Sequence, residues 1–357
     1  APTPAPTPAP TLAPTPAPTL APTPAPTPAP TTPAPTPPPP PPPAPCTKTD
    51  RDPYASGKYV SCCSGLNECL GRHGTSRHFY LCKTSCSGPA PAPASPPSPP
   101  SGGGGPWGWE SSGRRVGSGW CSAEEPSSGW TVKNGGCGGS TRVKVLSYNL
   151  FWWNLFGRRN GNGGSAGKLI AANGPFDIMG FQECDDVRRV LGDAGMLSSH
   201  DYVVGGHATA IAYNKGTWEL VASGRDDVAE DRPEQWYGRR GVGWVRLRHR
   251  TTDKTVFLVN HHGPLPVNTG GKCGGEATAY NMLRAIGLHA GAGDLKLLVG
   301  DLNADKNSVT QGALKRYMTG SAYHWVDAIY SSCSAESGRA LGTGGSDHNA
   351  IEAVFEL

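Results

Sequence analysis

Asp301 and Asn303 close the run Leu297-Leu298-Val299-Gly300, which is apolar or small up to the acid. A hydrophobic segment ending on Asp-x-Asn reads as a strand that leaves a core and delivers polar groups at its tip. Similar ends recur along the chain. Asn149 lies near the end of "VKVLSYNL", Glu183 ends "FDIMGFQE", and His261 and His262 end "KTVFLVNHH". Asp327 falls within "YHWVDAIY", and the pair Asp347-His348 leads into "HNAIEAVFEL". Singly, each has an ordinary reading, an Asx turn or a satisfied buried histidine. Jointly, they offer carboxylate and amide oxygens from separate strand ends with no cysteine among them, a donor set suited to Mg²⁺ or Mn²⁺. Histidines beside such oxygens suit proton transfer or the stabilisation of a charged phosphate.

The segments that must position these groups alternate in type. "VKVLSYNLFWW", "FDIMGFQEC", "HATAIAYNK", "VGWVRLRHR", "KTVFLVNHH", "LKLLVGDLN", "YHWVDAIY" and "HNAIEAVFEL" read as strands. "DDVRRVLGDAG" has helical spacing with acids at its start, and "EATAYNMLRAIGLHA" is a helix whose end is marked by Gly291 and Gly293. Strands with intervening helices predict an α/β or α+β layered domain.

Six of these motifs, in this order, resemble those of the endonuclease/exonuclease/phosphatase superfamily typified by deoxyribonuclease I. They are "LSYNL", "GFQE", "VNHH", "GDLNAD", "VDAI" and "SDHNAI", and the resemblance covers about residues 143–357. It implies a two-sheet sandwich flanked by helices, with the site at one end. On that resemblance Glu183 is the principal Mg²⁺ ligand, with Asn149 and Asp347 completing the metal shell. Asp301 orients and deprotonates the attacking water, and Asn303 holds water and phosphate. His348 bonds the scissile phosphate and is oriented by Asp327. His262 is the second histidine, the candidate general acid, with His261 off the catalytic face. Arg240 falls where a phosphate-binding arginine is placed, with Arg239 a near-equal candidate. Two departures stand out. The usual Asn-Thr-His is Asn260-His261-His262 here, and the residue nearest to the glutamate that pairs with the second histidine is His207.

Composition divides the 357 residues into four parts. Residues 1–45 contain only Ala, Pro, Thr, Leu12 and Leu20, in a four-residue repeat over about the first 30 and a proline run after it. Polyproline II is the conformation left to such a chain, and at a rise of about 3.1 Å per residue it reaches on the order of 140 Å. Three residues per turn against a repeat of four distributes Thr3, Thr7 and Thr11 around the rod. This predicts a stalk coated with O-linked glycans on Thr and hydroxylated Pro. Residues 46–86 hold Cys46, Cys62, Cys63, Cys69, Cys82 and Cys86, a disulfide module that implies an oxidising compartment. Residues 87–106 are a Pro/Ser/Gly linker, and 107–357 form the large domain.

Net charge is +4 overall and only +1 in 107–357, so charge by itself does not argue for nucleic acid. Arg246, Arg248 and Arg250 alternate onto one strand face and read as solvated. In the large domain a Cys121–Cys137 bridge is expected across a Gly/Ser-rich loop, with Cys184 buried and free. No segment is apolar and long enough to span a membrane, and the chain reads as a processed or partial product of a secreted protein. Two functions fit. One is an extracellular Mg²⁺-dependent phosphodiesterase, nuclease-like first and a lipid or inositol phosphate hydrolase second, with DNA among its candidate substrates. The other is a structural subunit of a glycan-coated fibre or cell covering, self-assembling through the stalk and displaying the catalytic fold as a docking body.

Overall fold

A computed structural model describes residues 108–357 apart from 134 and 236, together with strands Asn67–Arg72 (β1) and His78–Lys83 (β2). β1 and β2 pair antiparallel as a hairpin within the six-cysteine region. The stalk, the module's disulfides and the linker lie outside the described residues.

A short antiparallel pair, Ser111–Val116 (β3) with Ala123–Pro126 (β4), opens the large domain. The strands that follow are Arg142–Asn149 (β5), Ile178–Gln182 (β6), His200–Gly206 (β7), Thr209–Asn214 (β8), Trp218–Glu230 (β9) and Arg239–His249 (β10). Then come Thr255–His262 (β11), Leu295–Asp301 (β12), Thr319–His324 (β13), Asp327–Ser331 (β14), Ser337–Gly342 (β15) and Ala350–Glu356 (β16). The helices are Ser165–Asn173 (α1), Val187–Asp193 (α2), Gly275–His289 (α3) and Val309–Tyr317 (α4).

The strands form two six-stranded mixed sheets. Sheet one has the order β15-β16-β5-β6-β8-β7, and sheet two the order β13-β14-β12-β11-β10-β9. Alternation along each strand sends successive side chains to opposite faces. Val143 and Val145 of β5 therefore meet Leu297 and Val299 of β12 in the core between the sheets, together with Ile178, Leu258, Ile329 and Ile351. Leu146 and Tyr148 face the other way, against Ile170 of α1 and Val190 and Leu191 of α2. On sheet two, Phe257, Val259 and Leu298 turn outward onto Tyr280, Leu283 and Ile286 of α3. The result is helices, sheet, sheet, helices, and central strands covered on both faces. That explains why every residue of β6 and β12 is buried.

Several expectations need correction. "VKVLSYNLFWW" is not strand throughout: the ladder stops at Asn149, and Trp153–Arg158 forms a π-helical turn. "YHWVDAIY" is two strands, broken where Trp325 takes a left-handed backbone (φ 52°). Cys121 bonds Cys273 and Cys137 bonds Cys333, in place of a Cys121–Cys137 bridge. Cys121 sits where the opening hairpin folds against the start of α3, whereas Cys137 lies beside the end of β14. Nearness in sequence did not bring these two thiols together. Cys184 is free and buried. Of the three alternating arginines only Arg246 is half-buried; Arg248 and Arg250, the latter one residue beyond β10, are exposed as expected. Arg246 forks onto buried Asp294, Arg248 pairs with Glu219, and Arg250 donates to the Lys215 carbonyl.

Candidate active site

Strand register assembles the site. In the parallel β11–β12 ladder His262 stands opposite Asp301, and in the antiparallel β12–β14 ladder Asp301 stands opposite Asp327. One row across three strands of sheet two thus ends in His262, Asp301 and Asp327. Sheet one supplies Asn149 at the end of β5, with Glu183 directly after β6 and Asp347-His348 just ahead of β16. Gly300 makes the row possible: a Cβ there would lie 2.0 Å from the His261 carbonyl oxygen, so a side chain would push β11 and β12 apart.

Asp301 is the hub. Its Oδ2 accepts from Asn149 Nδ2 at 2.9 Å and lies 3.4 Å from His262 Nε2 and 3.7 Å from His348 Nε2. Its Oδ1 accepts from the Asn303 backbone N–H at 2.8 Å. Burial alone would raise its pKa, but the His262 hydrogen bond, the charge of His348 and the Asn303 N–H hold it well below the usual carboxylate range. Asp301 is therefore an ionised acceptor in a nearly water-free setting.

His348 Nδ1 meets Asp327 Oδ2 at 2.9 Å. Burial pushes the His348 pKa down. The Asp327 bond and the charges of Asp301, Asp327 and Asp347 outweigh it and bring it up to about 9. Burial lifts Asp327 to about 7, against the pull of His348. With Asp301 ionised on the ring's other edge, the proton of this pair rests on His348. Ser346 steadies the same turn: its Oγ donates to the Asn149 carbonyl at 2.8 Å and accepts from His348 N at 3.1 Å.

Asn149 Nδ2 also faces Glu183 Oε1 at 3.3 Å, and Asn149 Oδ1 accepts from Phe151 N. Glu183 and Asn303 both adopt left-handed backbones, φ 47° and 45°, which non-glycine residues avoid at a cost of about 1–3 kcal/mol. Such strain at two polar strand ends belongs with a site whose geometry is imposed by its surroundings. Asn303 Nδ2 donates to the Gly263 carbonyl at 2.9 Å. Asp347 is exposed, with Oδ1 3.9 Å from His348 Nε2. Asp301, Asp327 and His348 bring ligand-capable atoms within 4.8 Å of one another.

His261 and His262 point to opposite sides of the strand. His261 is fully buried, with Nδ1 on the Gly241 carbonyl at 2.8 Å, and burial pushes its pKa down to about 4. His262 reaches the site. Its Nδ1 meets Arg240, whose guanidinium is forked onto buried Asp231. His207 bonds Asp227 at 3.0 Å, and Arg239 pairs with the same carboxylate at 2.7 Å.

Beneath the site lies a polar bridge between the sheets that motif reading passed over. Gln182 Nε2 donates to Asn260 Oδ1 at 2.6 Å, and Asn260 Nδ2 donates to the carbonyls of Phe181 and Ala210. All four residues are buried. The available signal was an amide inside the apolar run "VFLVN", which must find partners when the strand is covered on both faces.

No protein-family model matches the sequence, and no curated protein matches it. Solved structures do. The endonuclease/exonuclease/phosphatase from Bacteroides vulgatus is similar at a TM-score of 0.51 and 18% identity, over 61% of this chain and 100% of that one. An endonuclease/exonuclease/phosphatase family protein from Bacteroides thetaiotaomicron gives 0.49 at 18% identity, over 62% and 100%. A mannosyl-6-phosphatase of Bacteroides thetaiotaomicron gives 0.46 at 19% identity, over 59% and 98%. By the first of these likenesses, the large domain has the endonuclease/exonuclease/phosphatase fold, the two-sheet sandwich of deoxyribonuclease I-like proteins.

Proposed function

We propose that this chain is an extracellular phosphodiester hydrolase, nuclease-like, that works with Mg²⁺ or Mn²⁺. The observation that carries the reading is the convergence, at one end of the sandwich, of ionised Asp301, the His348–Asp327 pair, His262, Asn303 and the oxygens of Asn149, Glu183 and Asp347. Those oxygens are hard donors on separate loops, the chemistry that fits a small divalent cation. Glu183, Asn149 and Asp347 would hold it, and the ion would supply positive charge for a phosphoryl oxygen.

The remaining roles fall to the chain itself. Asp301 orients the attacking water and accepts its hydrogen bond, with Asn303 holding water and phosphate beside it. His348, kept cationic by its carboxylate partners, faces the non-bridging oxygens where negative charge grows. His262 addresses the leaving oxygen. DNA is the first substrate to try, because a diester is the bond this arrangement suits. The two disulfides of the domain support an oxidising, extracellular setting. The O-glycosylated stalk belongs to the same proposal and would display the enzyme away from its anchorage.

The test is turnover of DNA and bis(4-nitrophenyl) phosphate by the full chain. Chelation with EDTA and the Glu183→Gln variant should each abolish it while leaving the thermal unfolding transition in place. Undiminished hydrolysis by the chelated protein would refute the metal-dependent reading.

A further inference from the structure

His262 and Arg240 stand on adjacent strands, β11 and β10, and meet in the wall of the site, each 7% exposed. Arg240 Nε and Nη2 donate to Asp231 Oδ1 and Oδ2 at 3.0 Å each, a two-pronged fork. Asp231 is itself 2% exposed and is pinned from its far side by the Leu265 N–H at 2.7 Å. Tyr237 covers the guanidinium, its ring centroid 5.4 Å from Arg240 Cζ. The fork sets the direction of the last contact, which runs from Arg240 Nη1 to His262 Nδ1 at 3.2 Å.

A guanidinium has only donors and stays charged at any physiological pH. Nδ1 of His262 must therefore accept, and the ring's single proton sits on Nε2. A second proton at Nδ1 would set N–H against N–H, and cation against cation, where little water screens them. Nε2 in turn lies 3.4 Å from Asp301 Oδ2, on the side where the reacting groups gather. The other histidine has the opposite partner, a carboxylate, on its Nδ1.

We propose that Arg240, clamped by Asp231, is a positioning residue that holds His262 as a neutral imidazole with its proton on Nε2, so that His262 acts as a fixed hydrogen-bond donor and not as an imidazolium acid. The inference rests on the hydrolytic reading of the site. It changes what two residues do within it. Arg240, with three of its N–H groups committed to Asp231 and His262, serves the histidine and not the phosphate. His262 donates a hydrogen bond to the leaving oxygen, which departs as the anion and takes its proton from solvent, while the proton of the attacking water passes by way of Asp301 to solvent.

Two measurements test it. The first needs no turnover and so stands apart from the hydrolytic reading: ring ¹⁵N shifts of the full chain at neutral pH, with His262 assigned by difference from His262→Gln. The expected result is a pyridine-like Nδ1 and a pyrrole-like Nε2. Two pyrrole-like nitrogens, or the proton on Nδ1, would overturn the proposal even in an inactive protein.

The second is kinetic. Gln at 262 keeps a donor and cannot ionise, so His262→Gln should stay within about tenfold of the parent while His262→Ala loses about a hundredfold. A Gln variant as slow as Ala would contradict a donor role. Arg240→Gln should lower kcat at constant KM, and a raised KM at constant kcat would mark Arg240 as a phosphate ligand instead. Where that variant leaves Asp231 too costly to bury, the double variant Asp231→Asn, Arg240→Gln removes the unpaired charge and gives the same readout.

Discussion

The Nδ1 atom of His348 lies 2.9 Å from Asp327 Oδ2, although the two residues belong to different sheets. Asp327 opens β14 in sheet two, and His348 stands just ahead of β16 in sheet one. The bond therefore forms only when the sandwich closes, and the site's cationic histidine is a product of sheet-on-sheet packing.

Asp327→Asn should expose that dependence. An amide of the same shape keeps an acceptor beside Nδ1 and removes the charge that favours the protonated ring. Turnover should fall by about 10²–10⁴-fold, the usual scale for a lost acid–base or electrostatic partner. Thermal unfolding should show the fold intact, and steady-state kinetics gives the comparison. An Asn variant as fast as the parent would remove the pair from the mechanism.

Asn260→Ala should cost stability before it costs chemistry. It removes the side-chain donor from the Phe181 and Ala210 carbonyls and leaves Gln182 Nε2 only its longer contacts to Ser147 and the Gly180 carbonyl. A buried group left without its partner costs about 1–3 kcal/mol. Urea unfolding of parent and variant should differ by that order, with the variant less stable.

His261 links stability to pH. Its ordinary value of 6.5 falls to about 4 on burial, so the native state binds fewer protons than the unfolded state between those values. Stability from this residue is thus fully present above pH 6.5 and is lost as the pH falls toward 4. The loss reaches about 3 kcal/mol. His261→Asn lacks the titrating group and should lose correspondingly less stability over that interval. Equal losses in parent and variant would show that the ring is not buried neutral.

The strand ends that carry the site could be read from sequence because an apolar run that stops on Asp, Glu or His has few explanations. "LLVGDLN" and "VFLVNHH" carry that pattern on their own, and the β11–β12 ladder then sets His262 beside Asp301. The partners of these residues had no such signature. Arg240 and Asp231 are common surface types, and their burial depends on β10 folding back along β9 and β11. The disulfides failed the sequence reading for a related reason. A loop of Gly and Ser can bring two thiols together, but the hairpin and the long strands decide where each one arrives. The break at Trp325 was hidden because "YHWVDAIY" has strand composition on both sides of the turn.

The central claim is that Asp301, held ionised between two histidines, serves hydrolysis of a phosphodiester. The most direct measurement is the steady-state rate of bis(4-nitrophenyl) phosphate hydrolysis by the full chain in Mg²⁺, parent against Asp301→Asn. The account predicts measurable turnover in the parent and a loss of about a hundredfold or more in the variant. Equal rates, or a parent that leaves both this diester and DNA intact, would contradict it.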